Sequence, residues 1–408
     1  MNSQSYRWII VAAGGVIGCV AIGCLFSLPV FIIPIAGETG WSRTGISAAM
    51  TIAFITMAVG SMVWGMLSDR YGPRAVVLAG AVILSVSLYG LSFVTSLAAY
   101  QAIYGVLIGG SMAAFFAPMM ATVTGWFDTH RSLAVSLVSA GMGMAPVTMS
   151  PLAAWLIAHH DWRTSYQIIA VIAALVLVPL SLLLRRPPAL AAGAAATPVG
   201  DLPGQQAMTT RTALVSAPFI VLALTNFFCC ATHSGPIFHT VSYAISCGIP
   251  AMTAVTIYGV EGLAGMAGRL GFGVLADRFG AKLLLVAGLL VQAFGALGYF
   301  FATDLAAFYS VAAVFGFVYA GTMPLYAVLA RENFPLRMMG TIIGGTAMAG
   351  SLGMATGPVF GGWIFDHTGN YGWLYIASFG MGLGAFLIAM LFRPFPAAVE
   401  ARRAAEPA

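Results

Sequence analysis

Charged side chains are scarce in this sequence. Of its 408 residues, 60% are hydrophobic and only 7% are Asp, Glu, Lys or Arg, whereas a soluble globular protein carries about 25% charged residues. A water-soluble fold of this length has no interior large enough to bury so much apolar surface. The composition therefore excludes a soluble protein and predicts an integral membrane protein.

The sequence also lacks the usual signatures of catalysis and of metal or nucleic-acid binding. It has no phosphate-binding loop, no Ser-His-Asp order and no cluster of metal ligands, so we expect no cofactor, no metal and no enzymatic activity. The basic residues lie in short loops and form no basic patch, which argues against a nucleic-acid partner despite the net charge of +5. The cysteines are odd in number and have no ligand spacing, and we interpret them as packing residues: Cys19, Cys24, Cys229, Cys230 and Cys247.

Long apolar runs account for most of the chain. A membrane-spanning helix needs about 20 apolar residues, and we identify twelve runs of that kind: 8–36, 42–67, 74–95, 98–126, 132–158, 162–184, 214–245, 251–276, 281–302, 304–330, 337–365 and 371–392. If both termini are cytoplasmic, all but Arg43, Arg163 and Arg269 of the 17 basic residues lie on the cytoplasmic side. This asymmetry predicts that both termini are cytoplasmic. We expect the membrane to be a bacterial inner membrane.

The longest interruption of the apolar pattern divides six runs from six. Residues 185–213 are rich in Ala, Pro and Gly and have no apolar periodicity, which is typical of a flexible linker. We therefore predict an N-terminal bundle over 1–184, a cytoplasmic linker over 185–213, a C-terminal bundle over 214–392 and a cytoplasmic tail over 393–408.

A ten-residue motif occurs twice, and equivalent positions of its copies are 208 residues apart. Residues 65–74 read GMLSDRYGPR and residues 273–282 read GVLADRFGAK. Each copy has a glycine that permits close helix approach, an Asp-Arg pair, and a second glycine that can take a positive φ in the turn. At the membrane surface the acid can cap a neighbouring helix. The two copies predict an internal duplication of the chain.

The two copies resemble the signature of the major facilitator superfamily, G-x-L-[SA]-D-R-[YF]-G-x-[RK]. This resemblance implies an all-α polytopic membrane protein with twelve transmembrane helices in two six-helix bundles related by pseudo-two-fold symmetry. It also implies alternating access by rocking of the two bundles. The residues that would then form a gating motif, away from the substrate, are Gly65, Asp69, Arg70, Gly72, Arg74, Gly273, Asp277, Arg278, Gly280 and Lys282.

Arg269 lies well inside the eighth apolar run. An unpaired guanidinium inside a membrane is energetically costly, so an arginine at this position indicates either a functional role or a buried partner. It can bind a carboxylate in bidentate fashion, or it can form a structural pair with a buried acid. The run is rich in glycine, which favours close packing or bending beside a cavity.

Arg269 and the sequence after it resemble the monocarboxylate transporter and oxalate–formate antiporter branch, in which an arginine at this position binds the substrate carboxylate. Residues 238–248 and 125–131 resemble segments of the same branch. The chain departs from the branch where Gly265 and Ser246 replace acids and Thr346 replaces a second cation. One buried cation fits a monocarboxylate such as lactate or pyruvate better than a dicarboxylate, and the departures leave the proton carrier open.

Glu261 and His239 are our candidates for proton coupling. Glu261 lies eight residues before Arg269, about 12 Å along a helix, and an acid in an apolar site can take up a proton together with an anion. Alternatively, Glu261 lies near the outer mouth and is solvated, and the histidine is a packing residue. Gly235 and Pro236 predict a break in the seventh helix.

Six residues are our candidates for substrate binding, with core packing as the alternative for the aromatic ones: Arg269, Tyr319, Phe116, Asn226, His233 and Tyr326. The resulting expectation is a proton-coupled secondary transporter whose partners are a small organic anion, protons and the lipid bilayer, acting as a monomer. The alternatives are an organic-anion exchanger or a drug or metabolite exporter of the same fold, and a non-transporting membrane sensor.

Overall fold

The computed structural model describes residues 3–127, 129–188 and 208–393. In these ranges the regular structure is helical and contains no β-strand. The elements, in chain order, are α1 (Ser3–Phe26), α2 (Leu28–Thr39), α3 (Arg43–Tyr71), α4 (Pro73–Leu91), α5 (Leu97–Gln101), a π-helix (Ala102–Ile108), α6 (Gly109–Trp126), α7 (Arg131–Gly143), α8 (Ala145–His159), α9 (Trp162–Leu182), α10 (Thr210–Leu214), α11 (Ala217–Ser246), α12 (Ala251–Phe279), α13 (Ala281–Phe301), α14 (Leu305–Asn333), a 3-10 turn (Leu336–Met338), α15 (Met339–Thr368) and α16 (Gly372–Met390).

The helices follow the predicted apolar runs. Eleven helical segments of the described residues are long and apolar enough to cross a membrane. α12 is also long, with 29 residues, but its four charged side chains set it apart from those eleven: Glu261, Arg269, Asp277 and Arg278. The expectation of an all-α, multi-pass membrane protein is confirmed.

The described residues fall into two compact units. The first lies within Met1–Asp128, Leu137–Val199 and Leu336–Met348, and the second within Thr129–Ser136, Gly200–Pro335 and Ala349–Ala408. The first turns of α15 therefore belong to the first unit, and the first turns of α7 belong to the second. Much of the predicted linker and nearly all of the predicted tail, 189–207 and 394–408, lie outside the described residues, so the predicted division of the chain stays a prediction.

Turns and caps repeat in the same register as the duplicated motif. Gly72 and Gly280 both have positive φ, +89° and +87°, which a side chain with a Cβ rarely adopts. Ser96 and Asp304, again 208 residues apart, are the N-caps of α5 and α14 and accept hydrogen bonds from the backbone N–H groups of Ala99 and Ala307. The duplication thus extends from the motif to the local backbone structure.

α11 runs without interruption through Pro236, so the predicted helix break is wrong. Two residues before the proline, a side chain joins α11 to α15. The Ser234 hydroxyl donates to the Met354 carbonyl oxygen at 2.5 Å and accepts from the Gly357 N–H at 3.1 Å. These bonds hold α11 against α15, and packing against a neighbouring helix lets a membrane helix tolerate a proline.

An aromatic core holds one end of the second unit together. Tyr299 of α13, Phe308 and Phe315 of α14, and Tyr375 of α16 are fully buried. The Tyr299 ring lies edge-on to Phe315 at 5.6 Å and against Tyr375 at 5.5 Å. This arrangement fixes the hydroxyl of Tyr299 at the edge of the core, where α12 passes.

Candidate functional site

α12 and α14 are in backbone contact through glycines. A Cβ at Gly268 would collide with the carbonyl oxygen of Phe317, and a Cβ at Gly316 would collide with the carbonyl oxygen of Glu261. Small residues allow such close approach, which is a common packing mode in membranes. The contact brings the charged residues of α12 beside the aromatic side chains of α14.

Arg269 is partly buried on α12. Its guanidinium lies close enough to the Tyr319 hydroxyl and to the His233 ring for their charges to interact. These three side chains come from α12, α14 and α11. The structure therefore brings together three residues that the sequence placed on separate apolar runs.

Glu261 is only 2% exposed, which excludes the alternative of a solvated acid. The Tyr299 hydroxyl donates to its Oε2 at 3.4 Å. Tyr319 lies within electrostatic reach of the Glu261 carboxylate as well as of the Arg269 guanidinium. A buried acid and a partly buried base thus share one helix and one aromatic neighbour.

His233 is 4% exposed, and its ring stacks on Tyr319 with 4.9 Å between ring centroids and 28° between planes. Its Nδ1 lies 3.3 Å from the side-chain Nε2 of Gln292. The histidine therefore lies between an amide from α13 and the aromatic ring of α14.

Gln292 is a residue of this site that the sequence did not predict. It is 1% exposed, its Nε2 donates to the Cys229 carbonyl oxygen at 3.0 Å, and its Oε1 accepts from the Cys229 thiol at 3.4 Å. The available signal was an amide in the middle of the apolar run 281–302. We use the name polar cluster for His233, Glu261, Arg269, Gln292, Tyr299 and Tyr319.

Asn226 and Tyr326 lie on the same two helices as His233 and Tyr319, two turns further along each helix. Asn226 precedes His233 by seven residues, about 10 Å along α11, and its side chain packs against Gly350 of α15. Tyr326 is buried, and its hydroxyl donates to the Thr225 carbonyl oxygen at 3.4 Å. The same hydroxyl meets the Cys229 thiol, which donates to Gln292 of the polar cluster. Both belong to the same unit as the cluster, about two turns from its centre.

His239 lies in the second unit but outside the polar cluster, and Phe116 belongs to the first unit. The His239 ring lies against Tyr371, with 5.2 Å between centroids, and packs directly on Gly361. Phe116 lies in α6 of the first unit and is partly buried. Their roles in proton coupling and substrate binding stay predictions.

The duplicated motif makes the same contact twice. Asp69 accepts hydrogen bonds from the N–H groups of Gly340 and Thr341, each at 2.7 Å, and from the Thr341 hydroxyl at 2.5 Å. These groups are at the N-terminus of α15, where helices leave N–H groups unpaired. The carboxylate therefore caps α15 within the first unit.

Asp277 makes the equivalent contact in the second unit. It accepts from the N–H groups of Ser132 and Leu133 at 3.1 and 3.2 Å, at the start of α7. Residues 132 and 133 precede 340 and 341 by the same 208 positions that separate the two aspartates. The two motif copies are thus equivalent in structure as well as in sequence.

The other motif residues support these contacts. Gly65 packs against the Gly340 carbonyl oxygen, and Gly273 packs against the Ser136 hydroxyl. A Cβ at either glycine would collide with that oxygen. The Arg70 carbonyl oxygen accepts from Arg186 at 2.8 Å. Arg74, Arg278 and Lys282 lie at or beside the same turns.

Among the described residues, no group of three or more His, Cys, Asp and Glu side chains has the arrangement of a metal site. The polar cluster instead offers a guanidinium, an imidazole, a phenol and an acid. Guanidinium, imidazole N–H and phenol O–H groups all donate hydrogen bonds to an anion.

Comparison with known proteins agrees with this architecture. The chain is 27% identical over 387 residues to monocarboxylate transporter 13 of Bos taurus, covering 94% of this chain and 87% of the relative. It is 28% identical over 411 residues to monocarboxylate transporter 11 of Mus musculus, covering 96% and 88%. Among solved structures, the proton:xylose symporter XylE superposes with a TM-score of 0.77 at 17% identity, over 98% of this chain and 99% of that one.

The family model described as Major Facilitator Superfamily matches residues 11–355 and 272–408, which together span nearly the whole sequence. The all-helical fold, the duplicated Asp-Arg turns and this match agree with one another. The chain is a multi-pass membrane protein that belongs to the major facilitator superfamily of transporters.

Proposed function

We propose that this protein is a proton-coupled secondary transporter of a small monocarboxylate of the lactate or pyruvate type. The observation that carries the proposal is the position of Arg269, inside a long helix and close to His233 and Tyr319, of which Tyr319 also lies near the buried Glu261. The names of the relatives, monocarboxylate transporters 13 and 11, support the same substrate class.

The substrate carboxylate pairs with the Arg269 guanidinium, whose planar N–H groups match both carboxylate oxygens. His233 and Tyr319 stack on each other and supply further donors. Their ring faces suit the short apolar part of a small organic acid. A second carboxylate would have no second cation in the polar cluster, so a monocarboxylate is favoured.

Charge balance gives Glu261 its part in the cycle. Without substrate, an ionised Glu261 balances Arg269. When an anion binds at Arg269, a proton on Glu261 keeps the polar cluster neutral, which matters because net charge is costly in a membrane interior. One proton therefore accompanies one monocarboxylate.

The cycle follows the alternating access of its superfamily, with the two halves rocking about the bound substrate. The caps that Asp69 and Asp277 place on α15 and α7 act as the gate, because they must break when those helix ends move. The proposal includes a monomer in a bacterial inner membrane with both termini cytoplasmic. The distribution of the basic residues supports this orientation of the termini.

Uptake into proteoliposomes tests the proposal. Purified protein is reconstituted, and initial uptake of radiolabelled lactate and pyruvate is measured with and without an inward proton gradient. We expect saturable uptake that the gradient stimulates. Arg269→Ala should abolish it, and Arg269→Lys should retain only a small fraction because a point charge does not reproduce the planar fork.

Arg211→Lys is the matched control, since Arg211 is exposed just before α11, and it should transport like the wild type. Saturable uptake that is unchanged in Arg269→Ala would overturn the role of the arginine. Transport that depends on an internal anion and ignores the proton gradient would instead identify an organic-anion exchanger.

A further inference from the structure

Gln292 occupies a position that the fold itself fills with leucine in the other half of the chain. In the 208-residue register that aligns Gly72 with Gly280, Gln292 of α13 corresponds to Leu84 of α4, which is fully buried. An apolar side chain therefore satisfies packing at this depth. A buried amide needs hydrogen-bond partners and carries a cost that leucine does not, so its presence calls for a role beyond packing.

The partners of Gln292 fix the orientation of its amide. A backbone carbonyl oxygen accepts hydrogen bonds and cannot donate, so the atom 3.0 Å from the Cys229 carbonyl oxygen must be the NH2 group. The opposite atom, Oε1, then accepts from the Cys229 thiol at 3.4 Å. The NH2 group is consequently the one that faces Nδ1 of His233 at 3.3 Å.

This orientation determines which nitrogen of His233 carries the hydrogen. An amide NH2 only donates, so this contact requires Nδ1 to offer its lone pair and places the hydrogen of the neutral ring on Nε2. The competing acceptor for a ring N–H is the Cys229 carbonyl oxygen, which already accepts from Gln292. A ring protonated on both nitrogens would set N–H against NH2. Arg269 from α12, the titratable Tyr319 from α14, and Cys229 on its own helix also lie close to His233, and the positive charge of Arg269 opposes a second cation there.

We propose that Gln292 is a positioning residue that holds His233 as the neutral Nε2–H tautomer, so that His233 donates a hydrogen bond to the substrate carboxylate beside Arg269 and carries no proton across the membrane. The substrate part of this inference rests on the proposed function; the tautomer does not. The transported proton is thereby assigned to Glu261, and His233 becomes a determinant of affinity.

The tautomer can be measured directly. Protein labelled with 15N-histidine in lipid nanodiscs is examined by NMR, and the His233 signals are identified by their loss in His233→Gln. We expect a protonated Nε2 and an unprotonated Nδ1 that persist between pH 5.5 and pH 8. A protonated Nδ1, or conversion to the doubly protonated ring within this range, would overturn the proposal.

Two variants separate positioning from packing. Gln292→Leu installs the residue found at the equivalent position of the first half, and a mixture of tautomers should replace the single one. Gln292→Glu offers an acceptor, and Nδ1 should become protonated. If both variants keep the wild-type tautomer, Gln292 does not set it. Thermal unfolding and size-exclusion profiles establish that each variant is folded.

Transport then tests the substrate role. Gln292→Leu should raise KM for lactate by about tenfold, the effect of one lost or misdirected hydrogen bond to a charged group, while stimulation by the proton gradient is kept. In Gln292→Glu, titration of the new carboxyl group and of His233 should make KM depend on pH in a way that the wild-type KM does not. An unchanged KM in both variants would overturn the donor role.

The two proposals fail in different ways. If the wild type shows the expected tautomer but transports no monocarboxylate, the proposed function fails, the donor role fails with it, and the positioning of His233 by Gln292 stands. If uptake is proton-coupled and depends on Arg269 but the tautomer is wrong, the positioning role alone fails.

Discussion

The carboxylate of Asp69 and residue Thr341 are joined by two hydrogen bonds across 272 positions of sequence, one from the backbone N–H at 2.7 Å and one from the hydroxyl at 2.5 Å. With the bond from Gly340, the carboxylate satisfies two of the N–H groups that a helix leaves unpaired at its start. The negative charge also complements the positive end of the helix dipole. A short sequence motif thus fixes the end of a helix encoded far along the chain.

Asp69→Asn should weaken this cap. The amide keeps one capping oxygen but turns an NH2 group toward the other N–H donor, so part of the cap is lost and the free energy of unfolding should fall by about 1 kcal/mol. Initial uptake should fall at least tenfold if the cap serves as a gate. Thermal unfolding in detergent and proteoliposome uptake measure the two effects. Asp277 makes longer hydrogen bonds, at 3.1 and 3.2 Å, so Asp277→Asn should lower stability and uptake less than Asp69→Asn does. A larger loss in Asp277→Asn would contradict the geometry.

Gly316→Ala should destabilise the second unit. The new methyl group would collide with the backbone of Glu261 and force α12 and α14 apart. We expect a lower melting temperature and loss of uptake, because the contact also places Glu261 near Tyr319. Gly262→Ala is the matched control on the facing helix α12, since a Cβ there meets nothing within 4 Å and alanine has the higher helix propensity. An equal loss in both variants would show that helix flexibility, and not contact, is the cause.

Glu261→Gln should separate proton coupling from substrate binding. The amide is neutral at every pH and keeps the hydrogen-bonding partner of Tyr299, so the site can still bind an anion at Arg269 but no longer exchanges a proton. Uptake driven by a proton gradient should disappear, while exchange of labelled for unlabelled lactate across the same membrane persists. His239→Gln should keep proton-driven uptake. If His239→Gln loses coupling and Glu261→Gln retains it, the two assignments are reversed.

Asp161→Ala should reduce stability in a pH-dependent way. Asp161 is the N-cap of α9, and the hydrogen bond from the Thr164 N–H lowers the pKa of its carboxyl below the ordinary value of 3.8. A group whose pKa is lowered by folding stabilises the protein above its unfolded pKa and loses that contribution as pH falls through the folded pKa. The melting temperature of Asp161→Ala should therefore lie below that of the wild type at pH 7, and the gap should narrow below about pH 4. Asp161→Asn, which retains a capping oxygen, should show a smaller gap at pH 7; a gap that is constant with pH would contradict the charge argument.

The sequence by itself determined the membrane location, the order of the helices and the duplication, and it singled out Arg269 as a candidate. Hydropathy and the spacing of charges are local properties, and a membrane requires each spanning segment to satisfy its own backbone hydrogen bonds within the helix. The bounds of nearly every helix, and the positive φ of Gly72 and Gly280, therefore follow from short stretches of sequence.

Only the tertiary structure decided which side chains meet. Gln292 lies 59 positions from His233 and 63 from Cys229, and nothing in its own apolar run indicates either partner. The burial of Glu261, the separation of His239 from the polar cluster and the continuity of α11 through Pro236 likewise depend on neighbouring helices. The physical reason is that side-chain contacts in a helical membrane protein arise from close packing between segments remote in sequence, whereas the sequence reports directly only on each segment's own affinity for lipid.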